Sequence, residues 1–264
     1  MPANILSNRT LKSIYNLSSY TNDNPVYLPL VSAKSVTPII FSDRQKYSSR
    51  SYWSATDINN PQKKTCLTIE NHPIEHQGIN TLDIVLEYSY DRNTASIKAP
   101  TTDLIFRQIN LLLLNYPNEE DFWEVMNCYL TEQILRLNSV LCEITITIAV
   151  HPNSEFPYYR SSTVTQTNCG SKCETWHFNF PFCFTDSIDK SLYAPYKVNV
   201  DYIYATDSSQ FPYPDFMIIY RQIADLLITQ GKETWSKTQH SLKNILLQEN
   251  STLRSVSIEL ERLV

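Results

Sequence analysis

The same order of blocks occurs twice in this 264-residue chain. Residues 82–165 read as a strand pair, Pro100-Thr-Thr-Asp103, two amphipathic helices and a β-branched strand. Residues 176–263 repeat that order in unrelated wording, with Pro212-Tyr-Pro-Asp215 ahead of the helices. A period of roughly 90 residues is far longer than the units of a solenoid, so the chain carries a duplicated module rather than a repeat array. Antiparallel strands with a helix pair between them put both helices on one face of a sheet, which is an α+β architecture. Three tracts are expected: an irregular N-terminal arm at 1–62, a first module at 63–166 and a second at 167–264. Each module leaves sheet edges to cover, so edge-to-edge assembly of copies into a closed ring or barrel is the natural solution.

Composition removes several classes of function. Only three glycines are present, and with them go the glycine-dependent devices: no G-x-G-x-x-G, no phosphate-binding G-x-x-x-x-G-K and no G-x-S-x-G. A net charge of −5 and a pI near 5.6, with Lys and Arg scattered, leave no basic footprint for nucleic acid. No apolar run approaches the roughly 18 residues of a membrane span, and the opening residues lack a signal-peptide pattern, so a cytoplasmic protein is expected. Of the six cysteines, Cys128 and Cys142 fall inside a helix and a strand, as buried thiols do. Cys169-x-x-x-Cys173 alone has ligand-like spacing, but no second pair accompanies it, so no metal or cofactor is expected.

Along the chain, Cys66–Ile69 and Leu82–Tyr90 read as strands, Asp91-Arg-Asn-Thr94 as a turn, and Ala95-Ser-Ile-Lys98 as the way out of it. A first helix starts at Pro100-Thr-Thr-Asp103, where a Thr can cap and Asp103 suits the dipole, and ends near Asn115. A second opens at Asn118 with Glu119, Glu120 and Asp121 in its first turn, and keeps helical spacing from Phe122 to Leu137. Cys142–Val150 alternates strictly and is the clearest strand. In the second copy, Trp176–Phe184 and Lys197–Tyr204 are strands, helices start at Asp215 and Glu233, and Leu253–Leu260 closes. Phe178, Phe180 and Phe182 alternate on one strand, which suits core packing for at least two of them. His72 and His76 read as a surface loop, His177 and His240 as structural, and Glu143 and Glu259 as members of a solvated strand face.

This twofold order resembles the tunnelling fold (T-fold), whose modules close into barrels by oligomerisation and bind purines or pterins between subunits. Among its two-module members the chain is most similar to urate oxidase, over roughly residues 64–264. The best local match is Asp91-Arg-Asn-Thr-Ala-Ser-Ile-Lys-Ala-Pro-Thr-Thr-Asp103, where urate oxidases carry a turn, a strand and a Thr-Asp helix start. The resemblance implies cofactor-free oxidation of urate or a related purine by a homo-oligomer, a tetramer-like ring, with Thr102 and Lys64 (or Lys63) as a proton relay. It places Asp103, a ring-stacking Phe178, Lys197 and Gln239 around the heterocycle. Lys197 stands where the family has a bidentate arginine. Gln239 is about one helical turn from the family's glutamine position. Glu261-Arg-Leu-Val264 occupies the place of the family's Pro-Asn-x-His. Two alternatives follow: a non-catalytic homologue with a structural or heterocycle-binding role, and a metal-dependent enzyme resembling type IB GTP cyclohydrolase that would use Cys169 or Cys173.

Overall fold

In the computed structural model, residues 47–53, 63–90, 99–154, 156–185, 193–205, 213–230 and 235–263 are described. The expected turn and strand at 91–98, and the helix start at Glu233, lie outside the described residues. Alternating sequence becomes β-structure: β1 Tyr47–Trp53, β2 Lys63–Glu75, β3 Ile79–Tyr90, β4 Leu141–Val150, β5 Tyr159–Thr167, β6 Lys172–Thr185, β7 Tyr193–Tyr204 and β8 Leu253–Arg262. They form one antiparallel sheet in chain order, β1 to β8. Helices α1 (Thr102–Leu114) and α2 (Trp123–Leu137) interrupt the first half, and α3 (Phe216–Gln230) and α4 (Trp235–Glu249) the second.

The duplicated order is therefore real, but it does not yield two separable bodies. β5 pairs with β6 across the expected boundary, from Tyr159↔Asn179 to Gln166↔Lys172, so a single sheet runs through both halves. The other difference is β1. Residues 47–53, expected within an irregular arm, pair with Lys63–Ile69 of β2 and add a strand ahead of the duplicated order.

One face of the sheet is dry. Leu67, Ile69, Ile84, Leu86, Ile144, Ile146 and Ile148 meet Ile105 and Ile109 of α1 and Met126, Leu130 and Ile134 of α2 in a fully buried core. In the second half Trp176, Phe178, Phe180, Val198, Val200 and Ile258 meet Ile219, Ile223, Leu242 and Leu246. The alternate residues form a polar face, where Thr145 and Thr165, and Thr147 and Thr163, are hydroxyl-bonded across strands at 2.9 Å each. Glu143 lies on this face, as expected of a solvated strand.

Helix starts follow local chemistry. Thr101, not Thr102, caps α1: its Oγ1 accepts from the Leu104 N–H at 3.2 Å. Thr101→Ala is expected to cost about 1 kcal/mol in thermal or denaturant unfolding, the usual worth of such a cap. α2 begins five residues later than the acidic run suggests. Asn118 Oδ1 accepts from the Glu120 N–H at 3.1 Å, and Asp121 accepts the Tyr116 hydroxyl at 2.9 Å. Those residues build a turn, and Trp123 starts the helix.

The stretch 72–76 departs most from expectation. A bulge after Ile69, with Asn71 at φ 56°, shifts the register, and His72 resumes pairing opposite Leu82. His72 is then buried within β2, and burial lowers its proton affinity. His76 is buried too, edge-on to Trp123 at 4.5 Å and to Tyr116 at 5.6 Å. The hairpin tip is docked on the α1–α2 link, where Gln77 N–H donates to the Glu119 carbonyl at 2.7 Å. These histidines belong to the packed body, not to a surface loop. Among the described residues, no helix is long and apolar enough to cross a membrane.

Candidate functional site

Because Thr101 holds the cap, the Thr102 hydroxyl is released for other contacts. It meets the phenol of Tyr88, which reaches up from β3 and also contacts Thr65 of β2. Burial raises the Tyr88 phenol above its ordinary range, and these two hydroxyls only partly offset that. Thr65, Tyr88 and Thr102 thus form a chain of hydroxyls at the start of α1. Asp103, one residue on, is exposed and accepts the hydroxyl of Tyr47, whose ring stacks on Phe106 at 4.6 Å. The first residue of β1 is thereby fastened to the first turn of α1.

Lys64 lies on the other side of the sheet. It neighbours Thr65 in β2, and successive strand residues point to opposite faces. Its Nζ is 3.9 Å from Glu143 Oε1 on the polar face, with both side chains partly exposed. Within one chain the Lys64 amine and the Thr102 hydroxyl are consequently not brought together. Lys63 has the strand parity of Thr65 and pairs in register with Tyr90.

Phe178 is not a free ring. It is 1% exposed on the helix-covered face of β6, with Phe180, Tyr202 and Phe216 at centroid distances of 6.3, 6.5 and 5.8 Å. Its alternation with Phe180 was the signal for a core strand, and the core reading is the one the structure bears out. Phe182, nearer the end of β6, is the member of the run that stays partly exposed.

Lys197 sits on the polar face of β7, opposite Pro181 of β6 and Glu261 of β8. Gln239 of α4 is half-buried and donates its amide to the carbonyl of Ile258 in β8. Lys197 and Gln239 therefore contact or pair with one outer strand, β8, while Lys64 pairs with and Asp103 contacts the other, β1, and Thr102 adjoins Asp103. Lys64 in β2 and Lys197 in β7 are five strands apart, roughly 24 Å at the usual interstrand spacing. The two groups thus lie toward opposite ends of the sheet's strand order.

Cys169 and Cys173 are both exposed. Cys169 lies in the β5–β6 turn with its Sγ 2.9 Å from Thr167 Oγ1, a contact that lowers the thiol's proton affinity. His177 is engaged elsewhere, its Nδ1 2.7 Å from Asp201 Oδ1. Among the described residues no group of three His, Cys, Asp or Glu side chains is placed to hold a metal ion. The cyclohydrolase-like alternative gains no ligand set from this geometry.

The sequence alone did not single out Tyr88, Thr65 or Tyr47 as partners of the helix start. Tyr88 and Thr65 share a helix-facing parity that period-2 reading marks only as core. Tyr47 lay in a tract without alternation.

No protein-family model matches the sequence, and no curated protein matches it. Solved structures do match. A uricase from Bacillus fastidious is similar with a TM-score of 0.53 and 12% identity, over 81% of this chain and 82% of that one. Urate oxidase from Bacillus sp. TB-90 is similar with a TM-score of 0.53 and 12% identity, over 82% and 86%. A uricase from Arthrobacter globiformis is similar with a TM-score of 0.51 and 8% identity, over 82% and 80%. At such identities the likeness is one of fold, and it spans both halves of the sheet with their helix pairs. In architecture, the chain shares the fold of these uricases.

Proposed function

We propose that this chain is a urate oxidase-like protein that holds a urate-class heterocycle where two copies meet. The observation that carries this reading is the division of the candidate residues between the two outer strands of one sheet. Two copies meeting edge to edge would bring the Thr102–Asp103 end of one close to the Lys197–Gln239 end of the other. In a uricase-like reaction, Thr102 and a lysine of β2 would pass protons while the planar substrate is oxidised, and no cofactor enters. Release of Thr102 from the capping role supports that assignment, since its hydroxyl is available without loss of the helix.

The test is urate consumption followed by its ultraviolet absorbance at high protein concentration. Thr102→Ala is expected to reduce turnover by about 100-fold or more, the usual worth of a positioned proton-transfer group. Its melting temperature should stay close to that of the parent, because Thr101 keeps the cap. Absence of turnover in the parent chain would sink the oxidative assignment.

A second reading, a homologue that binds a heterocycle without oxidising it, has specific support. Phe178 is locked in the core, Lys197 lacks the planar fork of an arginine, and Glu261-Arg-Leu-Val264 replaces the family's Pro-Asn-x-His. A thermal-shift panel of purines and pterins separates the two readings. Stabilisation without turnover identifies the binding homologue, and no stabilisation by any member overturns both.

A further inference from the structure

The two halves of the sheet meet over a buried polar seam unrelated to the candidate site. Helix α2 of the first half lies across β4 and β5 and presents Glu124 and Cys128 to the second half. Glu124 is 3% exposed and accepts one side-chain hydrogen bond, from the Tyr204 hydroxyl of β7 at 2.5 Å. Next to it Glu174 of β6, 4% exposed, takes Lys172 Nζ at 2.6 Å and the Tyr213 hydroxyl at 2.6 Å. Cys128 Sγ closes this second group, 3.7 Å from both Lys172 Nζ and the Tyr213 hydroxyl.

The charges do not balance around Glu124. Lys172 is the ammonium of this cluster, and Glu174 holds it. Burial works against the Glu174 carboxylate, but Lys172 and Tyr213 keep its proton affinity below the ordinary range. Among the described residues, Glu124 is given no comparable cation. From β7 it faces Tyr204, with Tyr202 edge-on to Tyr204 at 5.5 Å; from β6 it faces Glu174; from the segment before α3 it faces Asp215. Arg160 of β5, the other buried cation on this side, is seated over the rings of Phe156 and Phe216 at 4.6 and 5.6 Å. A buried carboxylate met by the neutral Tyr204 hydroxyl, its own backbone N–H and two acidic neighbours is costly, and the carboxylic acid is the form that fits.

We infer that Glu124 is a proton-operated latch between the two halves: protonated it seats α2 against β7, and ionised it loosens that seam. Burial, the largest influence, pushes its carboxyl up to about 7 from 4.5, with the Tyr204 hydroxyl and its own backbone N–H opposing and Glu174 and Asp215 adding to the rise. The folded chain then holds this proton more tightly than the unfolded chain. The contribution to stability is complete below pH 4.5, falls away between 4.5 and about 7, and is gone above that. Across that window the folding equilibrium constant should drop on the order of 100-fold from this group alone. His72 and His76, whose burial lowers their proton affinity, act in the opposite sense as pH falls below 6.5. They are common to parent and variant, so they cancel in a difference.

The experiment is the melting temperature of the full chain from pH 5 to 8, for the parent and Glu124→Gln. The parent should lose stability relative to the variant as pH rises, with the difference levelling off above pH 7. Amide exchange in α2, corrected for its intrinsic pH dependence, should speed up over the same range in the parent only. Tyr204→Phe is the second arm and serves if Glu124→Gln does not fold. Removing the opposing donor should shift the parent's loss to higher pH. Parallel pH profiles for parent and Glu124→Gln, or an unshifted profile for Tyr204→Phe, would overturn the proposal. It stands independently of any heterocycle binding.

Discussion

Phe178→Ala is expected to lower stability by about 3–5 kcal/mol, the cost of emptying a fully packed aromatic site. In a chain of this size that corresponds to a drop in melting temperature on the order of 10 °C. The ring is 1% exposed and shared among Phe180, Tyr202 and Phe216, so its loss leaves a cavity between β6, β7 and α3. The measurement also separates two roles for this residue. A ring held out for stacking on a substrate would cost little stability when truncated and much activity. A core ring behaves the other way, and an unchanged melting temperature would show that Phe178 is not part of the core.

The second large effect is expected at Asn127 on α2. Its Nδ2 donates to the Ile146 carbonyl at 2.9 Å, the Ser162 carbonyl at 3.0 Å and Ser162 Oγ at 3.1 Å. One amide thus ties the helix to both β4 and β5, in full burial. Asn127→Ala removes these buried contacts and should cost about 1–3 kcal/mol. Asn127→Asp is the severe variant, because it replaces the donor with a buried carboxylate aimed at carbonyl oxygens. A cost on the order of 4 kcal/mol or more is expected. Against a typical total of about 5–15 kcal/mol, that is enough to leave little folded protein. Denaturant unfolding of the two variants checks the ranking, and Asp tolerated better than Ala would refute the assigned amide orientation.

Elements whose signal is local were legible in the sequence. The strict alternation of Cys142–Val150, the helical spacing of the second helix, and the strand–helix–helix–strand order each depend on residues a few positions apart. The start of α1 was legible to within one residue, but neighbouring threonines can both cap, and only the bond from Leu104 N–H to Thr101 separates them. β1 was not legible. Its serines and tyrosines become a strand because β2 supplies an edge, and Tyr47 is anchored by Phe106 and Asp103 from a helix more than fifty residues on. His72 and His76 escape a period-two reading for a related reason. The bulge at Asn71 breaks the period of two, so alternation no longer reports which face a residue takes.

The candidate site divides the same way. Residue types and order pointed to Thr102, Asp103, Lys64, Lys197, Phe178 and Gln239, since a motif is a statement about adjacency along the chain. Whether those side chains can meet is a statement about space. Phe178 turned inward, Lys64 took the face opposite Thr65, and the rest separated to the two outer strands of one sheet. The duplicated block order determined, by itself, that an antiparallel sheet would carry helix pairs on one side, because period and spacing decide which faces must be buried. The tertiary structure alone decided that the two halves share a continuous sheet, that Glu124 is enclosed between them, and that the candidate residues stand apart. Each of those outcomes depends on pairing and packing between residues distant in sequence, and no local pattern encodes such partners.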